Sequence, residues 1–181
     1  MQTHERFYVL TGGPGSGKTT LLEALKRTGF ATTPEAGRGI IQDQSAINGP
    51  ALPWKDPALF AELMLSWEMR NYRQASLETG PVFFDRGMPD LIGYLKLSGL
   101  PVPDHFHRAA EKFRYNRKVF ILPPWREIFS GDSERKQSFD EAQRTYDAMI
   151  DAYSAQDYAL TIVEPGTVEQ RAGFIRAETG L

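Results

Sequence analysis

Phe7-Tyr8-Val9-Leu10-Thr11-Gly12-Gly13-Pro14-Gly15-Ser16-Gly17-Lys18-Thr19-Thr20 is the stretch on which the reading of this chain turns. Its first four residues are apolar and β-prone and run into glycines, the pattern of a short buried strand. Gly12 to Thr19 then fits G-x-x-x-x-G-K-[ST] without a gap, and Leu21, Leu22 and Leu25 follow on one face of a helix. Strand, glycine turn and helix in that order make an anion cradle. Successive backbone N–H groups must point at one phosphate, and glycine takes the needed conformations at least cost. The helix N-terminus adds its positive dipole end. The spacing gives Lys18 reach to the β- and γ-phosphates of a nucleotide, and the Thr19 hydroxyl is placed to ligate Mg²⁺. Gly12, Gly13, Pro14, Gly15, Ser16, Gly17, Lys18, Thr19 and Thr20 are the expected nucleotide-binding residues.

Further along the chain, helical and strand patterns alternate. Gly29 stops the helix after the cradle. A second strand is expected over 30–33 and a second helix from Glu35 to about Ala46. Residues 48–54 have turn chemistry. Asp56-Pro57 is an N-cap followed by proline at the first helical position, opening a long helix to about Thr79 with Leu59, Leu63 and Trp67 as its apolar face. Val82-Phe83-Phe84 is a fully apolar strand that ends in Asp85, and helices follow over about 89–97 and 104–115. Val119 to Leu122 is the fourth strand, halted by Pro123-Pro124. Residues 125–137 form a polar excursion. Ser138-Phe139-Asp140-Glu141 is a capping box for a helix to about Ala155, a fifth strand covers 158–163, and Thr167-Val168-Glu169-Gln170 opens the last helix. Short apolar strands without polar alternation, each separated by a helix, indicate an α/β protein with a parallel sheet covered on both faces.

The 181 residues fit one domain, 1–181. Lys plus Arg is 21 and Asp plus Glu is 23, a net charge of −2 that argues against a bulk electrostatic grip on nucleic acid. There is no cysteine, which excludes disulfides, thiolate metal sites and cysteine nucleophiles. Nothing approaches the roughly 18 apolar residues of a membrane span, and the polar N-terminus is no signal peptide. A cytoplasmic protein without membrane or nucleic-acid partners is the expectation.

Four further segments join the cradle: Pro34-Glu35-Ala36-Gly37-Arg38, Asp85-Arg86-Gly87, Trp125-Arg126-Glu127 through Arg135, and Val163-Glu164-Pro165. With these the chain resembles the P-loop kinase-like NTPases, most nearly the small bacterial AAA-labelled predicted ATPases, themselves similar to nicotinamide riboside kinases. The resemblance implies a five-stranded parallel sheet of order 2-3-1-4-5, flanked by helices and carrying a lid over about 125–140. It also implies ATP as the nucleotide.

Asp85 ends an apolar strand, and strand C-termini meet at the ligand crevice of a doubly wound sheet. Its carboxylate can hold Mg²⁺ or accept a proton, and its bland alternative is a helix cap. Arg86 beside it is a substrate ligand or half of a structural ion pair. Glu35 closes the second strand near the same crevice. In similar small-molecule kinases a carboxylate there meets the acceptor hydroxyl; otherwise it is a solvated helix-start glutamate. Arg38, one turn on, can bind an anionic acceptor or stand as a surface arginine. Arg126, Arg135, Lys136 and Arg144 surround the excursion, and Arg126 and Arg135 are the expected lid arginines for transition-state charge. Trp54 is a stacking or a core residue, and Trp67 a core residue. His105 and His107, at i and i+2 on a helix, diverge and make no metal pair.

The expected catalytic set is then Lys18, Asp85, Glu35, Arg126 and Arg135, with Thr19 and Asp85 on the metal. The leading reading is an ATP- and Mg²⁺-dependent phosphotransferase moving the γ-phosphoryl group to a small-molecule acceptor. The other reading is an ATP-hydrolysing regulatory switch acting through a protein partner. No N-K-x-D motif supports a GTPase.

Overall fold

The computed structural model describes residues 3–128 and 138–181. Strands β1 (Phe7–Gly12), β2 (Ala31–Thr32), β3 (Val82–Asp85), β4 (Lys118–Leu122) and β5 (Ala159–Ile162) form one parallel sheet in the order β2-β3-β1-β4-β5. Helices α1 (Lys18–Arg27), α2 (Ala36–Ala46), α3 (Pro57–Ala75), α4 (Met88–Leu97), α5 (Asp104–Lys112), α6 (Phe139–Ser154) and α7 (Val168–Thr179) cover it. The five-stranded order expected from the resemblance is the order found.

Alternate residues of each central strand enter different cores. Val9, Phe84, Val119 and Ile121 face the larger layer with α2 to α6. Leu10, Phe83, Phe120 and Leu122 face Leu21, Leu22, Leu25, Ala172 and Ile175 of α1 and α7. Two buried faces explain why these strands read as continuous apolar runs. The chain leaves β1 toward β3 on one side and β4 on the other, and this switch point opens a crevice at the strand C-termini. Register puts Asp85 beside Leu10 and Leu122 beside Gly12, so the end of β3 and the glycine loop share that crevice.

Four sequence expectations shift. α3 stops at Ala75 rather than near Thr79, because the Arg6 guanidinium draws in the carbonyls of Ser76, Glu78 and Gly80 and folds 76–80 into a turn. Its buried face is Phe60, Ala61, Met64, Leu65, Glu68 and Asn71, not the Leu59–Leu63–Trp67 row. Leu59 is exposed and Trp67 half-buried, its ring packed on Gly39, where a Cβ would come within 2.7 Å. α5 ends at Lys112 because Tyr115 turns into the core, its backbone N–H reaching the Tyr158 hydroxyl at 3.3 Å and its own hydroxyl accepting from Met88 N at 3.3 Å. β2 pairs over only two residues, so Glu35 stands three residues past it as the N-cap residue of α2.

Candidate active site

The glycine loop runs from the end of β1 into α1. Gly12, Gly15 and Gly17 have φ of 141°, 70° and 75°, the left-handed side of backbone space that other residues resist. Gly12 is also pressed on β4: a Cβ there would lie 2.3 Å from the Leu122 carbonyl oxygen. Gly13 is pressed on α6, with the Ala142 carbonyl oxygen 2.4 Å from a Cβ. Lys18, the first residue of α1, is 6% exposed and pairs with the Asp85 carboxylate. Thr19 and Thr20 are exposed on the wall of a cavity of about 660 Å³ formed with the loop, Arg38, Trp125, Ile128 and Arg171.

Arg86 follows Asp85 at φ 72°, a strained conformation for a side chain of this size. Its N–H donates to Leu10 O at 3.0 Å, and Nη1 donates to Gly12 O at 3.0 Å. Nη1 also reaches Asp90 at 3.2 Å, and Nε lies 3.6 Å from Glu35. Burial disfavours its charge, but Asp90, Glu35 and Asp85 outweigh that and hold its pKa above the ordinary arginine value. Arg86 therefore ties the glycine loop, the start of α2 and α4 together. Glu35 also faces Arg38 at 3.7 Å.

A second cavity, of about 470 Å³, opens beside the first and shares Pro14, Glu35 and Arg86 with it. Trp54, Phe60, Leu91 and Tyr94 supply apolar wall. Beneath them Asp90 is buried and accepts four hydrogen bonds: Thr11 Oγ1 at 2.5 Å, Tyr153 Oη at 2.5 Å, Gly87 N at 2.9 Å and Arg86 Nη1 at 3.2 Å. Burial, together with Asp90, pushes the Tyr153 hydroxyl well up, so it stays a donor. Glu68 on the same wall is 2% exposed and meets Asn71 Nδ2 at 3.4 Å. Burial pushes its carboxyl well above the usual range, and Asp90 and Asp85 add to the rise, which favours the neutral acid.

The expected site residues thus fall in different places. Lys18, Thr19, Glu35 and Asp85 come together around the crevice, and Thr19, Glu35 and Asp85 line one groove. Arg126 lies 4.1 Å over the Phe139 ring at the start of α6 and is not on the described lining of either cavity. Arg135 and Lys136 lie outside the described residues. Trp54 is 59% exposed at the pocket mouth and is not core. His105 Nε2 sits 2.9 Å from Glu62.

Sequence reasoning missed Glu68, Asp90, Tyr153 and Arg171. Glu68 had a signal: it follows Phe60 and Met64 at i+8 and i+4, a carboxylate set in an apolar stripe. Arg171 stands at i−4 from buried Ile175.

Two features fit a nucleotide and Mg²⁺. Ser16 Oγ and Arg171 Nε are buried at the cradle without a hydrogen-bond partner among the described residues. Thr19 and Asp85 line one groove beside the cradle. Mg²⁺ keeps several waters and takes one or two protein ligands beside phosphates, so one hydroxyl and one carboxylate suit it.

A family model described as an AAA domain matches residues 7–171. The chain belongs to that family. Among curated proteins no sequence matches it. In fold it is similar to the NadR protein solved with NR, at 19% identity and a TM-score of 0.75, over 98% of this chain and 52% of that one. It thus spans about half the NadR chain. Thymidylate kinase from Ehrlichia chaffeensis is 16% identical over 98% and 99% of the two chains, TM-score 0.64. Deoxyadenosine kinase from M. mycoides is 16% identical over 96% and 98%, TM-score 0.60. The AAA-domain chain therefore has the P-loop kinase fold. No helix among its described residues is long and apolar enough to cross a membrane.

Proposed function

We propose that this AAA-domain protein is an ATP- and Mg²⁺-dependent phosphotransferase that moves the γ-phosphoryl group to a small-molecule acceptor. The junction of two cavities at Pro14, Glu35 and Arg86 carries this reading. Hydrolysis alone needs a nucleotide site and a water, whereas transfer needs a second pocket opening on the phosphate end of the first. The similarity in fold to kinases supports the same reading.

The backbone of Gly13–Thr20 and the Lys18 ammonium would hold the phosphates, and Thr19 and Asp85 would hold Mg²⁺. The metal, when bound, neutralises phosphate charge. Glu35 takes the proton of the acceptor hydroxyl while that oxygen bonds to phosphorus and ADP leaves. Arg86 and Arg38 on either side orient the Glu35 carboxylate. Arg126, in the segment after β4, packs over the Phe139 ring at 4.1 Å.

ADP release is measured with ATP and Mg²⁺, alone and with nucleosides, sugars and cofactor precursors. Acceptor-dependent release with a phosphorylated product is the expected result. ADP release that no acceptor alters would overturn the transferase in favour of an ATP-hydrolysing switch with a protein partner.

A further inference from the structure

The acceptor pocket is unbalanced in charge. Glu35, Asp90 and Glu141 reach its described lining, beside Glu68 whose burial favours the neutral acid, against Arg86 as the one basic side chain. That arginine is already engaged by Asp90, Glu35 and the Gly12 carbonyl. The N–H at the start of α4, on Gly87, is taken by Asp90. Glu35 itself stands at the start of α2. A phosphate on the acceptor would need arginine or lysine forks, or open helix N–H groups. It would find the carboxylates of Glu35, Asp90 and Glu141 instead, and like charges in a pocket of low dielectric repel strongly. The remaining lining is apolar and aromatic, and about 470 Å³ suits a single ring system with a few hydroxyls.

We propose that the acceptor is a hydroxyl-bearing ring compound without a phosphate, of the nucleoside class, and that Glu68 is one of the groups that recognises it. The proposal rests on the phosphotransferase reading. Glu68 is oriented by Asn71, whose Nδ2 also donates to the Pro34 carbonyl at 3.2 Å, so this side chain is fixed from the strand side. A neutral carboxyl can donate and accept at once, which suits a hydroxyl.

Binding is tested apart from turnover. Calorimetry with a non-hydrolysable ATP analogue and Mg²⁺ present compares a panel of nucleosides with their matched 5′-monophosphates. At least one nucleoside should bind, and its monophosphate should bind about tenfold more weakly or worse. A monophosphate that binds as tightly as its nucleoside, or a silent nucleoside panel, overturns the acceptor class. Binding of a nucleoside with no transfer to it would sink the phosphotransferase and leave the acceptor class standing. Glu68→Gln should hold the affinity within about threefold, while Glu68→Leu should lose about tenfold, the usual cost of a buried hydrogen bond. Equal loss in the two variants, or none in either, removes Glu68 from recognition.

Arg171 presents a separate observation on the nucleotide side. It is 5% exposed, yet among the described residues no carboxylate lies within ion-pair distance of it. Its Nη2 donates to the Ser16 carbonyl at 3.0 Å, the guanidinium lies 5.9 Å from the centre of the Trp125 ring, Nε has no hydrogen-bond partner among the described residues, and Nη1 lies 2.8 Å from where a Gly17 Cβ would stand. A buried cation without a counter-charge is unfavourable. We infer that its counter-charge is the phosphate chain of the bound nucleotide, which makes Arg171 a fixed phosphate ligand supplied by α7. Arg171→Met should leave the melting temperature of the nucleotide-free protein unchanged or raised. It should weaken ATP by about 10- to 100-fold, ADP less and AMP least, as loss of charged hydrogen bonds predicts. A loss equal across the three nucleotides, or affinity unchanged, would make Arg171 only a brace for the loop.

Discussion

The phosphate cradle takes consecutive residues, Gly12 to Thr20, and offers mainly backbone; the acceptor pocket takes side chains from residues as distant as Glu35 and Met149. The cradle backbone is pressed on β4 at Gly12 and on α6 at Gly13. The pocket is shaped by packing among α2, α3, α4 and α6. On the proposed reading, the cradle recognises a feature every nucleoside triphosphate shares, for which a fixed local loop suffices, and the pocket tells acceptors apart through walls drawn from several elements.

Lys18→Ala tests the cradle and should have the largest effect. It removes the charged donor at the phosphates, so both transfer and any acceptor-free hydrolysis should fall by about 10³-fold or more. Saturating ATP and Mg²⁺ in a coupled ADP assay is the check. Turnover within a factor of ten of wild type would dissolve the distinction between the two cavities.

Glu35→Gln tests the junction. Transfer to an acceptor should fall by about 10²–10⁴, the usual worth of a general base, while ATP affinity holds. Acceptor-free hydrolysis should change little. Equal damage to both reactions would assign Glu35 to the cradle rather than to the acceptor.

The same contrast governs what was legible in the sequence. The glycine loop and the helix it opens were readable because they lie in contiguous residues with a fixed spacing. The position of Asp85 at the crevice was readable because a carboxylate ended an apolar run. The sheet order followed from resemblance, and no strand pattern dictates that β1 lies between β3 and β4. The pocket was mostly hidden. Asp90 and Tyr153 meet at 2.5 Å across 63 residues, and only the packing of α4 on α6 joins them. The face of α3 was misread because Leu59, Leu63 and Trp67 keep helical spacing too. What separates the two rows is burial of Phe60 and Met64, a tertiary fact.

Two glycines sharpen the comparison through stability. Gly13→Ala would set a Cβ 2.4 Å from the Ala142 carbonyl oxygen, so backbone must move, at a cost of about 3 kcal/mol. Gly93→Ala meets Met149 Cε at 2.6 Å, the far end of a flexible side chain, and the Ala148 carbonyl oxygen at 3.2 Å. That cost should be about 1 kcal/mol. Thermal melting should separate them by several degrees, at about 2–4 °C per kcal/mol for a chain of this size. Gly93→Ala should also alter acceptor affinity while sparing ATP, because Met149 lines the acceptor pocket. The reverse ranking would mean that the cradle yields more readily than the pocket.

Trp54→Ala should have the smallest effect and carries the contrast to the pocket mouth. At 59% exposure the indole contributes little to the core, so stability should stay within about 0.5 kcal/mol. Its ring stands on the pocket lining beside Pro53, where it can cover an acceptor ring. Such stacking is worth about 0.5–1.5 kcal/mol, so KM for the acceptor should rise a few-fold to about tenfold with kcat nearly unchanged. Trp54→Phe should recover most of that, since it keeps an aromatic face. ATP affinity should not move, because Trp54 lines the acceptor cavity and is not on the described lining of the cradle. A fall in kcat with KM held would instead mean that the indole acts on the reacting groups. An unchanged KM in Trp54→Ala would confine recognition to the inner wall around Phe60, Glu68 and Tyr94.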